Sequence, residues 1–195
     1  MMVKICGITN LEDALAAAKG GAAAIGFNFY PASPRYIPLP DAAAIAKGLA
    51  ERVWKVGVFV NESPESVARA AAVCGLDVAQ LHGNELPEDY PPGIRLWKAV
   101  RFRDGRTPPV LPGGRLEAVL LDGPASGQAF DWARAPQGIQ KLILAGGLNA
   151  ENVGGAIDQV HPWGVDACSQ IESAPGKKDH KKMAAFLKAA LAARQ

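Results

Sequence analysis

The sequence predicts an α/β chain folded as one (β/α)8 barrel, the TIM-barrel architecture, over residues 1–195. Three observations point that way. Strand-like and helix-like segments alternate along the whole length, with eight strand-like runs. Strictly alternating βα units imply a parallel sheet, and eight of them close on themselves. The runs are nearly all apolar, as in 22–29, which suits strands covered on both faces. A doubly wound open sheet is the rival. It calls for fewer strands and a glycine-rich dinucleotide turn after the first one, where Gly7 stands alone. At 195 residues the chain is short for a barrel, so a trimmed fifth helix and sixth loop are expected.

The first strand, Val3-Lys4-Ile5, ends in Cys6-Gly7. Thr9-Asn10-Leu11-Glu12 has the spacing of a capping box, and Leu11, Ala14, Leu15 and Ala18 then share a face before Gly20-Gly21. Strand 22–29 leads into 30–36, a loop stiffened by Pro31 and Pro34. A helix over 41–52 and a strand over 53–60 follow. Ser63-Pro64 is a cap followed by proline at the first helical position, with Val67, Ala70, Ala71 and Cys74 inward and Gly75 as the stop. Val78–Leu81 is a short strand ending in His82-Gly83, then come a short helix over 85–90 and a strand over 95–100. Residues 103–114 hold three prolines and three glycines, so a loop or a single turn is expected there. Strand 116–121 ends at Asp122, and a Phe130-Asp131-Trp132 corner leads to strand 141–145. Gly146-Gly147-Leu148-Asn149 opens a helix lined by Val153, Ala156, Ile157 and Val160. Gly164–Ala167 is the eighth strand. Asp179 caps a last helix with Met183, Phe186, Leu187, Ala190 and Leu191 inward.

Composition excludes several functions. Hydrophobic residues make up 49% and charged residues 21%, as in an ordinary globular chain. A net charge of +2 with dispersed Lys and Arg argues for no nucleic acid and no anionic membrane partner. No apolar run is long enough to span a bilayer. The first strand is read as beginning within a few residues of Met1, so no secretory signal is expected. Cys6, Cys74 and Cys168 are odd in number and widely spaced, so free thiols in a reducing cytoplasm are expected.

Function in such a barrel collects at the C-terminal ends of the strands. Those ends carry Cys6, Arg35 on the second loop, His82, Asp122, Gly146-Gly147, and Asp166 to Gln170. Barrels often hold phosphate between the seventh and eighth loops. Gly146-Gly147 lets backbone N–H groups approach an anion, and Ser169-Gln170-Ile171-Glu172 can open the short helix that supplies more. Each residue also has a plain reading. Cys6 can be a small core residue, Asp122 a turn former, Arg35 a solvated charge and His82 a loop tie, while Cys74 belongs to the core. Cys6, His82 and Cys168 match no compact metal spacing, so no metal is expected.

Several segments in order resemble the phosphoribosylanthranilate isomerase family. They are Lys4-Ile5-Cys6-Gly7-Ile8-Thr9, Gly26-Phe27, Ser33-Pro34-Arg35-Tyr36, Val56-Gly57-Val58-Phe59-Val60-Asn61, Gln80-Leu81-His82-Gly83, Leu121-Asp122, Phe130-Asp131-Trp132 and Leu144-Ala145-Gly146-Gly147-Leu148. Ile171-Glu172-Ser173-Ala174-Pro175-Gly176 with Lys178-Asp179 completes the set. The resemblance covers nearly the whole chain. It implies a single barrel domain acting in tryptophan biosynthesis without a cofactor. The reaction would be the Amadori rearrangement of N-(5-phosphoribosyl)anthranilate to 1-(2-carboxyphenylamino)-1-deoxyribulose 5-phosphate. It would make Cys6 the general base and Asp122 the general acid, with Arg35 on the anthranilate carboxylate. His82, Gly146, Gly147, Asp166, Ser169 and Gln170 would complete the site for this small phosphorylated substrate. A monomer is expected. Rival readings are an aminoaldose isomerase of histidine biosynthesis, a bifunctional version, or an inactive phosphosugar-binding barrel.

Two departures stand out. The family's glycine-rich loop after the acid is shortened here to Gly123-Pro124-Ala125-Ser126-Gly127-Gln128. Its Ser-Ser-Gly after the eighth strand is Cys168-Ser169-Gln170, so Gln170 would be strained if it needed a positive φ.

Overall fold

The computed structural model describes residues 1–102, 115–123, 129, 131–136 and 138–193. Eight strands form a closed barrel: β1 Met2–Ile5, β2 Ala24–Asn28, β3 Trp54–Phe59, β4 Val78–Leu81, β5 Arg95–Arg101, β6 Leu116–Asp122, β7 Leu142–Leu144 and β8 Gly164–Ala167. All neighbours run parallel, and β1 closes the ring by pairing Met2 with Gly164 through Ile5 with Ala167. The predicted barrel is therefore present. The expected short segment 103–114, most of the sixth loop (124–128) and Phe130 of the predicted corner lie outside the described residues.

Side chains alternate along each strand, so one set points into the barrel and the other toward the helices. Met2, Ala24, Val56, Val78, Trp97, Leu120 and Ile143 pack inside. Trp54, Trp97 and Trp163 meet at centroid distances of 5.9–6.5 Å, at the end of the barrel away from the predicted site. Val3, Ile5, Ile25, Leu81, Leu121 and Leu144 face outward and join the helices in a second, larger cluster.

The helices are α1 Leu11–Lys19, α2 Leu39–Lys47, α3 Pro64–Cys74, α4 Val153–Val160 and α5 His180–Ala192. Four expectations need correction. Asn10, not Thr9, caps α1: its side chain accepts from the Asp13 N–H at 2.8 Å, while the Thr9 hydroxyl donates to the Gly176 carbonyl. The inward face of α1 is Asp13, Ala14 and Ala17, leaving Leu11 43% and Leu15 46% exposed. The cause is a polar anchor. The Asp13 carboxylate accepts the Lys178 N–H at 2.8 Å and meets His180 Nε2 at 2.7 Å, which turns the helix toward α5. Third, α2 runs from Leu39 to Lys47 rather than over 41–52, ending at Gly48, and α4 begins at Val153, after a turn in which the Asn149 side chain accepts from two backbone N–H groups. The predicted short helix over 85–90 is a single 310 turn at Pro87–Asp89. The caps at Ser63 and Asp179 are as predicted.

A two-stranded hairpin, β9 Glu172–Ala174 with β10 Lys177–Lys178, follows β8. It has no counterpart among the predicted elements, because three residues and two residues are too short to show a period. It carries Glu172 and Lys178, both buried at the barrel mouth.

Candidate active site

A cavity of about 370 Å³ opens at the C-terminal ends of the strands. All nine predicted site residues line it: Cys6, Arg35, His82, Asp122, Gly146, Gly147, Asp166, Ser169 and Gln170.

Cys6 follows β1 and extends its ladder, its N–H donating to the Ala167 carbonyl at 2.9 Å. Gly7 then turns the chain at φ +71°, and a Cβ there would lie 2.7 Å from Arg35 Cδ and 3.0 Å from Cys168 Sγ. Only glycine fits that close approach. Beneath Cys6, Lys4 is wholly buried and pairs with Asp166 at 3.0 Å. Burial disfavours charge on Lys4, but Asp166 and Cys6 outweigh it and hold the ammonium above the usual lysine range. Burial pushes the Asp166 carboxyl up to about 7, against the pull of Lys4. The Cys6 thiol is held well below its ordinary value, first by a hydrogen bond from Cys168 and then by the charges of Lys4 and Lys178, which together overcome burial.

Asp122 ends β6, three places from β1 around the ring through β7 and β8. Its Oδ1 accepts the Gly123 N–H at 2.9 Å, and its Oδ2 lies 3.4 Å from His82 Nε2. His82 is positioned by the loop after β4. There, buried Glu85 accepts from the N–H groups of Asn61 and Gly83 and pairs with Lys98 at 2.6 Å. Lys98 holds the Glu85 carboxylate below its usual range despite burial.

Arg35 is not the free cation its loop position suggested. Its Nε and Nη2 grip Glu172 at 2.7–3.0 Å, and Lys178 meets the same carboxylate at 2.8 Å. One edge of the guanidinium is thus committed to protein. The remaining donors on Nη1 and Nη2 bond to nothing else among the described residues, on a side chain lining the cavity.

Gly146 and Gly147 have φ of +81° and +68°, which L side chains rarely adopt. The Gly147 carbonyl is tied by the Asn152 amide at 2.9 Å. Ser169–Ile171 forms the predicted short helix as a 310 turn. Gln170 lies in that turn. The positive-φ residues other than glycine among the described residues are Asn61 and His161, so the anticipated strain is absent.

Sequence reasoning singled out neither Gln80 nor Lys4 as site residues. Gln80 lines the cavity, is 1% exposed, and its Oε1 has no hydrogen-bond partner among the described residues. Polar residues at inward positions of β1 and β4 were the available signal, since an apolar barrel needs none there. Among the described residues no group of three or more His, Cys, Asp or Glu could hold a metal ion. No described helix is long and apolar enough to cross a membrane.

The family described as N-(5'-phosphoribosyl)anthranilate (PRA) isomerase matches residues 3–189. An N-(5'-phosphoribosyl)anthranilate isomerase of Solibacter usitatus is 52% identical, covering 99% of this chain and 98% of that protein. The protein of that name from Thermotoga maritima is 44% identical over 95% of this chain and 96% of its own. Among solved structures, a phosphoribosyl anthranilate isomerase from Thermotoga maritima superposes with a TM-score of 0.87 at 41% identity, covering 98% of this chain and 99% of that one. Another phosphoribosyl anthranilate isomerase, solved with reduced 1-(o-carboxyphenylamino)-1-deoxyribulose 5-phosphate, gives 0.85 at 41% identity and the same coverage.

Proposed function

The chain belongs to the N-(5'-phosphoribosyl)anthranilate isomerase family, and from that premise we propose how its own residues carry the reaction. It is an isomerase of tryptophan biosynthesis, rearranging the phosphoribosyl amine of anthranilate to the aminodeoxyribulose phosphate. Asp122 donates a proton to the ribose ring oxygen. The C1–O bond breaks, and the aniline nitrogen lone pair forms a Schiff base at C1. That cationic imine acidifies the C2 hydrogen, and the Cys6 thiolate removes it as general base. The C2–H electrons become a C1–C2 double bond, the imine nitrogen is neutralised, and the enaminol tautomerises to the aminoketone.

One observation carries this reading: a thiol held below its ordinary pKa and a carboxylate face one cavity from separate strand ends. A thiolate base needs that lowered pKa to be charged near neutrality. The free edge of Arg35 suits the planar anthranilate carboxylate, with Glu172 holding the guanidinium in place. Gly146, Gly147 and the Ser169 turn offer backbone N–H groups to the phosphate. Gln80 Oε1 is a ready acceptor for a sugar hydroxyl, and His82 steadies Asp122. The protein is proposed to work in the cytoplasm, in keeping with its free cysteines.

The test is fluorescence of the anthranilate substrate with purified protein. Cys6→Ala and Asp122→Asn are each expected to lower turnover by at least about 10²-fold. Near-normal turnover in either variant contradicts its role. Running the histidine-pathway aminoaldose alongside tests for a second substrate, and the single-substrate reading expects no turnover of it.

A further inference from the structure

Cys6 and Cys168 are neighbours across the seam where the barrel closes. The β1–β8 ladder pairs Lys4 with Asp166 and Ile5 with Ala167, so the next pair in register is Cys6 with Cys168. Lys4 and Asp166 meet on the inward side, and side chains alternate, so both sulfurs return to that side two residues later. Both cysteines line the cavity. Position 168 is also where the chain departs from the serine of the pattern it resembles.

We propose that Cys168 is a positioning residue for the isomerisation: its S–H donates to the Cys6 sulfur and holds it as the thiolate. This rests on the reading of Cys6 as the base. The charges around the pair decide which sulfur is deprotonated. Lys178 Nζ lies 3.9 Å from Cys168 Sγ, yet that ammonium and Arg35 are both engaged by Glu172, at 2.8 and 2.7 Å. Those two cations hold the Glu172 carboxyl below its usual range despite burial, so it stays charged and absorbs their field. Lys4 faces Cys6 closely: a Cβ on Gly26 would lie 2.8 Å from Cys6 Sγ and 3.0 Å from Lys4 Cε. Its partner Asp166 is raised to about 7, first by burial, with the charges of Cys6 and Asp122 acting in the same sense. Near neutrality Asp166 is only partly charged, which leaves much of the Lys4 field to Cys6. The Cys6 bond raises the Cys168 thiol well above its ordinary value, so Cys168 keeps its proton and remains a donor. No covalent step is involved; the S–H stays on Cys168 throughout.

The experiment follows iodoacetamide alkylation of each cysteine by peptide mass spectrometry against pH, beside the pH profile of kcat/KM. In the parent protein Cys6 is expected to react well ahead of Cys168 at neutral pH; equal or reversed labelling overturns the proposal. Cys168→Ala should raise the Cys6 midpoint by about one pH unit, so alkylation below the midpoint slows about tenfold. Cys168→Ser, whose hydroxyl can donate, should restore most of that shift. An unmoved midpoint in Cys168→Ala overturns the role of Cys168. A midpoint that moves while the acid limb of kcat/KM stays fixed instead removes Cys6 from the base's role, so the two failures are told apart. If Cys168→Ala does not fold, the labelling order in the parent decides.

Discussion

At the scale of single residues, the site and its supporting loops rest on buried ionisable groups matched in pairs. Lys4 with Asp166, Lys98 with Glu85, and Lys178 with Glu172 are all buried and within 3.0 Å. A buried pair adds little net stability, because desolvation offsets the attraction, but losing one partner strands the other. Asp166 makes the cost depend on pH. Its carboxyl keeps its proton up to about 7 in the fold, against 3.8 ordinarily. Between those values the folded protein binds more protons than the unfolded chain. The contribution is therefore full below the lower value and lost as pH rises through the upper one. Asp166→Asn cannot take up that proton, so its urea midpoint should fall less steeply than the parent's across this range. An equal slope in both proteins would contradict the assignment.

At the scale of elements, the short β9–β10 hairpin does more for the site than its length suggests. It places Glu172 where the carboxylate holds Arg35, Lys178 and the Gly176 N–H together. Glu172→Gln keeps the shape and removes the charge. It is expected to destabilise the protein by about 3–5 kcal/mol by leaving Lys178 buried without its counter-ion. KM should rise in step as the Arg35 guanidinium loses its fixed pose. Urea unfolding and steady-state kinetics check the two effects separately. The start of α1 makes a smaller, cleaner case. Asn10 caps the helix through the Asp13 N–H, and Asn10→Ala should cost about 1 kcal/mol in urea with kcat unchanged. The same substitution at Thr9, the cap the spacing predicted, would instead break a tie to the hairpin at Gly176. A capping box and a one-residue shift of it look alike in sequence; the Asp13 anchor to α5 decides between them.

At the scale of the whole molecule, closure of β1 on β8 brings residues 6 and 168 to one place and sets Asp122 across from them. The large exposed apolar residues among those described are Leu11, Leu15, Tyr30, Tyr36, Val73 and Leu86, scattered over α1, α3 and two loops. We therefore propose a monomer. A Thermotoga maritima phosphoribosylanthranilate isomerase is described as dimeric, and its structure was solved as generated monomers. Sedimentation velocity at micromolar concentration should give the mass of one chain, near 20.4 kDa; a species of twice that mass would refute it. The sequence by itself determined the eightfold alternation, the strand ends and hence the roll of nine cavity residues. All three are local facts, written in period and turn chemistry that each segment carries alone. It could not show that Arg35 is half committed to Glu172, that Asp13 turns α1, or that Gln80 Oε1 has no hydrogen-bond partner among the described residues. Nor could it show that Cys168 meets Cys6. Those depend on contacts between residues far apart in the chain, and only the closed ring sets which buried charge finds which partner.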